Sequence, residues 1–127
     1  MEKLITNISE KWLDGDSILH VKYVAGSTID LPAIIQSRTD NEKLFNHKKE
    51  LVLCDARVSF TITPDAQKYA RMEIMNKSRI ATAVLTNKAY VQLVVNFALR
   101  FSKLKSVVKM FCKEQDALKW LRSFNQN

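Results

Sequence analysis

The sequence predicts an α/β domain built on a mixed sheet of about five strands with about four helices, in the order ββαβαβαβα. Three observations carry the prediction. Short β-rich apolar runs recur at Ile18–Val24, Glu50–Asp55, Ile80–Leu85 and Val107–Phe111. Segments with helical spacing of apolar residues separate the last three of them. Before the first lies Asp14-Gly15-Asp16, a turn signal that joins two early strands as a hairpin. Strands separated by helices require crossover connections, so the later strands are expected to run parallel and the hairpin to add an antiparallel portion.

The elements follow in order. Leu4–Leu13 alternates loosely and forms the first strand, and Ile18–Val24 the second. Gly26-Ser27-Thr28 breaks the chain, Asp30 caps a helix with Pro32 in its first turn, and Leu31, Ile34, Ile35, Arg38 and Phe45 keep helical spacing up to about Asn46. After strand Glu50–Asp55 comes a loop and then a helix from Pro64, with Thr63 as its N-cap and Tyr69, Met72 and Met75 on its apolar stripe. Strand Ile80–Leu85 leads through Thr86-Asn87-Lys88 to a helix over Tyr90–Ser102. Strand Val107–Phe111 and a helix from Gln115 to Phe124 complete the chain. Helix Tyr90–Ser102 is apolar on more than one side: Val91, Val94, Val95, Ala98 and Phe101 make one stripe, and Leu93 and Phe97 extend it. Deep packing explains that breadth, and so does a self-association surface centred on Val94, Phe97 and Phe101.

A length of 127 residues is expected to form one domain spanning 1–127, and only two Gly and two Pro leave no room for linkers. Disorder is expected only at Asn125–Asn127. The longest apolar runs fall short of the ~20 residues of a membrane span, and the first residues lack a signal-peptide core, so a cytoplasmic location is expected. The net charge is +7. Residues 1–63 carry eight bases and nine acids, whereas residues 100–127 carry seven and two, so the excess lies in the second half. Those bases read either as a solvated surface or as a face for an anionic partner. Nucleic acid is the weaker candidate, because no aromatics are interleaved with the bases as single-strand binders require.

Cys54 and Cys112 read as small core residues rather than a disulfide, and no Cys or His grouping has metal-ligand spacing, so no metal or cofactor is expected. His20 and His47 stand apart from each other and from any recognisable acid. With no Gly-rich phosphate loop and no nucleophile elbow, catalysis is not expected.

Two stretches resemble a known family. Leu51-Val52-Leu53-Cys54-Asp55-Ala56-Arg57 followed by Thr63-Pro64-Asp65-Ala66, and the ending Val108 to Leu121 with its Ala117-Leu118-Lys119-Trp120-Leu121, are similar to the small STAS-like proteins, the sulfate transporter and anti-sigma factor antagonist domains. The resemblance spans most of residues 18–124 and implies a non-enzymatic regulatory or ligand-binding domain. In the antagonist branch an Asp-x-Ser-Gly loop after a central strand carries a phosphorylated Ser. Asp55 matches the acid, but Ala56-Arg57-Val58-Ser59 departs from the rest, which leaves Ser59, Thr61 and Thr63 as the only hydroxyls near that position.

In parallel α/β sheets the crevice beyond the strand carboxyl ends is where ligands are met. That rule gathers Asp55, Arg57, Ser59, Thr63, Thr86, Asn87, Lys88 and Lys113 as the candidate partner- or ligand-binding set. The competing account is that Asp55 simply pairs with Arg57 or caps a turn. Two functions fit: docking of a protein partner at this edge, or binding of a lipid or nucleotide there and against the apolar helix.

Overall fold

Period-two alternation gives every strand two faces, and here the faces differ in chemistry. In Ile18–Tyr23, Ile18, His20 and Lys22 share one side while Leu19, Val21 and Tyr23 share the other. The computed structural model describes residues 3–46, 49–74, 79–87, 89, 92 and 107–125. Its strands are β1 (Lys3–Ile5), β2 (Ser9–Leu13), β3 (Ile18–Tyr23), β4 (Thr28–Ile29), β5 (Glu50–Asp55), β6 (Thr61–Ile62), β7 (Arg79–Leu85) and β8 (Val107–Phe111). The helices are α1 (Leu31–Phe45), α2 (Pro64–Ile74) and α3 (Glu114–Arg122), the last continuing into a short 3-10 turn at Ser123–Asn125.

Six strands form one sheet in the order β1-β2-β3-β5-β7-β8. β1, β2 and β3 are antiparallel neighbours, and β3, β5, β7 and β8 run parallel. The mixed sheet is therefore as expected, with one strand more. The run Leu4–Leu13 splits because the Thr6 hydroxyl accepts the Ile8 and Ser9 N–H groups and the Thr6 N–H reaches the Ser9 carbonyl, which turns the chain there. A second sheet, β4 with β6, was not foreseen; at two residues per strand it has no period to read. Three helices lie among the described residues. Segment 90–102 apart from residue 92, with Val94, Phe97 and Phe101, and also Lys88 and Met75, lies outside the described residues.

One face of the sheet is covered by α3. Ile18, Leu51, Leu53, Ala81, Ala83 and Leu85 bury against Ala117 and Leu121, with Phe111, Leu118 and Trp120 alongside. On the other face α1 packs Phe45 against Leu19, Val21 and Val52. There Lys11 is buried too, its ammonium donating to the Ser37 carbonyl and hydroxyl and to Asn41 Oδ1. Ile34 of α1 and Ala66 of α2 meet Ile8 and Ile29 beside the small sheet.

Expected local signals mostly hold. The Asp30 carboxylate accepts the Ala33 N–H at 3.0 Å, and Asn46 ends α1 in the left-handed region at φ 50°. At the Asp14–Ser17 turn the left-handed residue is Ser17, φ 61°, rather than Gly15. Two residues at expected helical apolar spacing are exposed, Ile35 on α1 and Met72 on α2 at 64%, and so is Cys112, expected in the core. Cys112 sits one residue past β8, where the strand has stopped pairing. Asn125, placed in a disordered tail by the sequence, donates to the Asp16 carbonyl at 2.8 Å. Among the described residues no helix is long and apolar enough to cross a membrane.

β5 and β7 are out of step at one point. Glu50 is opposite Arg79, yet Leu51 is opposite Ala81, so Ile80 is an extra residue on β7. The bulge puts Arg79 on the Glu50 side. Arg38 of α1 holds Glu50 through two bonds, Nη1 to Oε1 at 2.8 Å and Nη2 to Oε2 at 2.6 Å, while Arg79 Nε reaches Oε1 at 3.1 Å and its Nη1 reaches Thr82 Oγ1. All three charged groups are buried.

Candidate functional site

Among the described residues, α3 covers β5, β7 and β8, and the antiparallel half of that face is left open. Register lines up two rows across that half: Lys3, Trp12, His20 and Leu53 in one, and Glu10, Lys22 and Asp55 in the other. Where this open half meets the start of α3 there is a hollow of about 220 Å³, lined by Trp12, His20, Val21, Lys22, Leu53, Asp55, Arg57 and Glu114.

Its floor is rigid. The Trp12 and His20 rings stack with centroids 4.9 Å apart and planes at 13°, and the Lys3 ammonium lies 4.8 Å from the Trp12 ring centre. His20 is only 9% exposed, and its Nε2 lies 2.8 Å from Asp14 Oδ2. The Asp14 carboxylate also accepts the Asp16 and Ile18 N–H groups, at 2.8 and 3.1 Å. Burial works against that carboxylate's charge, but the His20 and backbone hydrogen bonds outweigh it and hold the Asp14 pKa below its usual value. Replacing Asp14 with alanine is expected to cost about 1–3 kcal/mol, since two turn N–H groups and the imidazole lose their acceptor. A depressed acid pKa stabilises the fold above the unfolded value and ceases to as pH falls through the folded one. The wild type should therefore lose this increment in acid and the variant should not, which urea titrations at neutral pH and near pH 3 would compare.

The wall is the carboxyl end of β5. Arg57 Nε and Nη2 donate to Asp55 Oδ1 and Oδ2 at 2.9 and 2.7 Å, and the Arg57 N–H closes a turn onto Oδ1 at 3.2 Å. Both arrangements foreseen for Asp55, ion pair and turn, are present at once. Burial opposes the Asp55 charge, yet the Arg57 side-chain and backbone bonds and the nearby charges of Arg57 and Lys22 keep its pKa low. In turn the Asp55 hydrogen bond raises the Arg57 pKa, against a smaller effect of burial, with the charges of Asp55 and Glu114 adding to it. Arg57 remains 45% exposed, so the pair presents a fixed guanidinium to solvent.

The other predicted residues are placed differently. Ser59 is exposed in a loop fastened by the Gly26 N–H to its carbonyl. Thr63 precedes α2, but its hydroxyl does not cap: it donates to Asp65 Oδ1 at 2.6 Å, and Asp65 Oδ1 accepts the Ala66 N–H at 2.8 Å. A first-turn acid has taken the role assigned to Thr63 because its carboxylate is the stronger acceptor. Thr86 is 1% exposed, with its N–H on the Phe111 carbonyl, which removes it from any docking surface. Asn87 and Lys113 are exposed at the ends of neighbouring strands, Lys113 directly before α3. Of the predicted set, the hollow brings in Asp55 and Arg57. Trp12, His20, Lys22 and Glu114 were missed as site residues. The hairpin register would have paired Trp12 with His20 around Asp14-Gly15-Asp16.

A family model described as a domain of unknown function, DUF7793, matches residues 11–125. No curated protein matches. Among solved structures, an uncharacterized protein of the DUF3478 family from Shewanella loihica PV-4, with a SpoIIAA-like fold, is similar over 95% of this chain and 98% of its own. Its TM-score is 0.66 and its identity 16%. The fold is thus SpoIIAA-like, the fold that the STAS-like resemblance implied.

Proposed function

The chain belongs to the DUF7793 family, a domain of unknown function, and we propose that it is a non-enzymatic docking module of regulatory type. Its protein partner would be met at the carboxyl ends of β3 and β5. The observation that carries this reading is the Asp55–Arg57 pair: a guanidinium that is oriented by two side-chain hydrogen bonds yet nearly half exposed is pre-organised for a partner's acceptor groups. The partly buried Trp12 beside it supplies the aromatic surface on which interface energy concentrates.

A lipid or nucleotide ligand at the same edge has less support. The hollow is smaller than the roughly 300–1,000 Å³ typical of drug-sized ligand sites.

The test compares wild type with Arg57→Ala. Because exposed ion pairs contribute about 0–1 kcal/mol, the thermal midpoint should move little. Recovery of a mass-spectrometry-identified partner from lysate of the native organism should fall at least tenfold. Equal recovery by both proteins would remove Arg57 from docking, and a large drop in midpoint would make the pair structural.

A further inference from the structure

Charges around the hollow pair off almost completely. Lys3 meets Glu10 at 2.9 Å, Asp14 meets His20 at 2.8 Å, Asp16 meets Arg122 at 2.9 Å and Asp55 meets Arg57 at 2.7 Å. Two charges lining it stand outside these pairs, Lys22, whose charge helps keep the Asp55 pKa low, and Glu114, whose charge helps raise that of Arg57. Among the described residues, the Lys22 ammonium and the Glu114 carboxylate are held in no hydrogen bond or close ion pair, and both side chains are exposed. Lys22 stands in the sheet row between Glu10 and Asp55, and Glu114 opens α3.

The remaining lining is chemically specific. The His20 ring is fixed by its Nε2–Asp14 bond and by the stacked Trp12 ring. Arg57 directs Nε and Nη2 at Asp55, which leaves N–H groups of Nη1 unspent. The partly buried Trp12 is the apolar element with surface to offer, with Leu53 closed off beneath the sheet face at 1% exposure.

We propose that the hollow binds a compact zwitterion of the amino-acid class. Its carboxylate meets Lys22 and Arg57, its ammonium meets Glu114, and its side chain rests on the Trp12 ring. A dianionic phosphate would face Glu114 and Asp55, and a bare amine would face Lys22 and Arg57. A molecule carrying one charge of each sign can set each against an opposite charge and brings only a single negative charge near Asp55. The volume of about 220 Å³ accommodates a molecule of that size.

The proposal goes beyond the docking reading and its test involves no partner. The full-length protein, isotope-labelled, is titrated with each of the twenty L-amino acids at millimolar concentration and followed by NMR. At least one should shift the amides of Lys22, Leu53 and Glu114 saturably. The α-amide of that amino acid, which lacks the carboxylate, and its deaminated acid should each bind at least tenfold more weakly. Lys22→Met should abolish the preference over the amide, and Glu114→Gln the preference over the deaminated acid. Both side chains are exposed, so the variants keep the fold, and circular dichroism verifies it. No shift with any amino acid, shifts confined to other residues, or preferences that survive both substitutions would each overturn the proposal.

Discussion

Replacing Glu50 with alanine should lower stability by about 3–5 kcal/mol, because it leaves two buried arginines without their counter-charge. For a domain of this size that corresponds to a fall of about 10–20 °C in thermal midpoint. The magnitude follows from the geometry. Glu50 is 2% exposed and accepts three side-chain hydrogen bonds, two from Arg38 and one from Arg79, so α1, β5 and β7 are all joined through one carboxylate. Burial alone would push its pKa up, but the Arg38 bonds and the charges of Arg79 and Arg38 hold it below the ordinary 4.5. The sign for pH follows directly. The increment is fully present above the unfolded value and is lost as pH falls through the folded one, so wild type and Glu50→Gln should draw together in stability as the solution is acidified below the unfolded carboxylate value. Chemical denaturation from pH 7 to pH 3 measures both effects. A loss under about 1 kcal/mol at neutral pH would show that the arginines regain water when the acid is removed.

Leu121→Ala should be nearly as damaging, at about 2–5 kcal/mol, and its consequences should reach the hollow. α3 is nine residues long and has no side-chain cap at Lys113, so packing rather than local propensity holds it. Ala117 and Leu121 are its two buried residues, and Leu121, fully enclosed, fills the space over Leu51, Leu53 and Ala83. Shortening it leaves a cavity under the helix that presents Glu114. Hydrogen exchange at residues 117–122 should accelerate, while the exposed Lys119→Ala control should stay within about 0.5 kcal/mol of wild type. Unchanged exchange in Leu121→Ala would mean that Trp120 and Phe124, packed edge to face at 5.1 Å, suffice to anchor α3.

Most of the fold was legible in the sequence because its strands are long enough to show their pattern. Val107–Phe111 has the boundaries read from composition, Arg79–Leu85 starts one residue before those read, and the Asp30 cap, Pro32 and Asn46 mark α1 as they should. The β4–β6 pair escaped because two residues have no periodicity. Met72 misled because helical spacing identifies a face without saying whether anything covers it. In the site, Asp55 and Arg57 were legible as polar residues ending an apolar strand. His20 was not, since its carboxylate partner arrives through a hairpin turn. Nor was Glu114, which joins the hollow only through the packing of α3.

The extra residue in β7 bears on how this strand can change in length. A single-codon deletion inside an ordinary strand slides everything beyond it by one position and turns its inward side chains outward. At Ile80 the opposite holds: its loss would leave Arg79 opposite Glu50 and Ala81 opposite Leu51, with Thr82 still on the arginine's side. The strand thus contains one position where shortening is topologically neutral, set between two where it would exchange a buried ion network for a hydrophobic core.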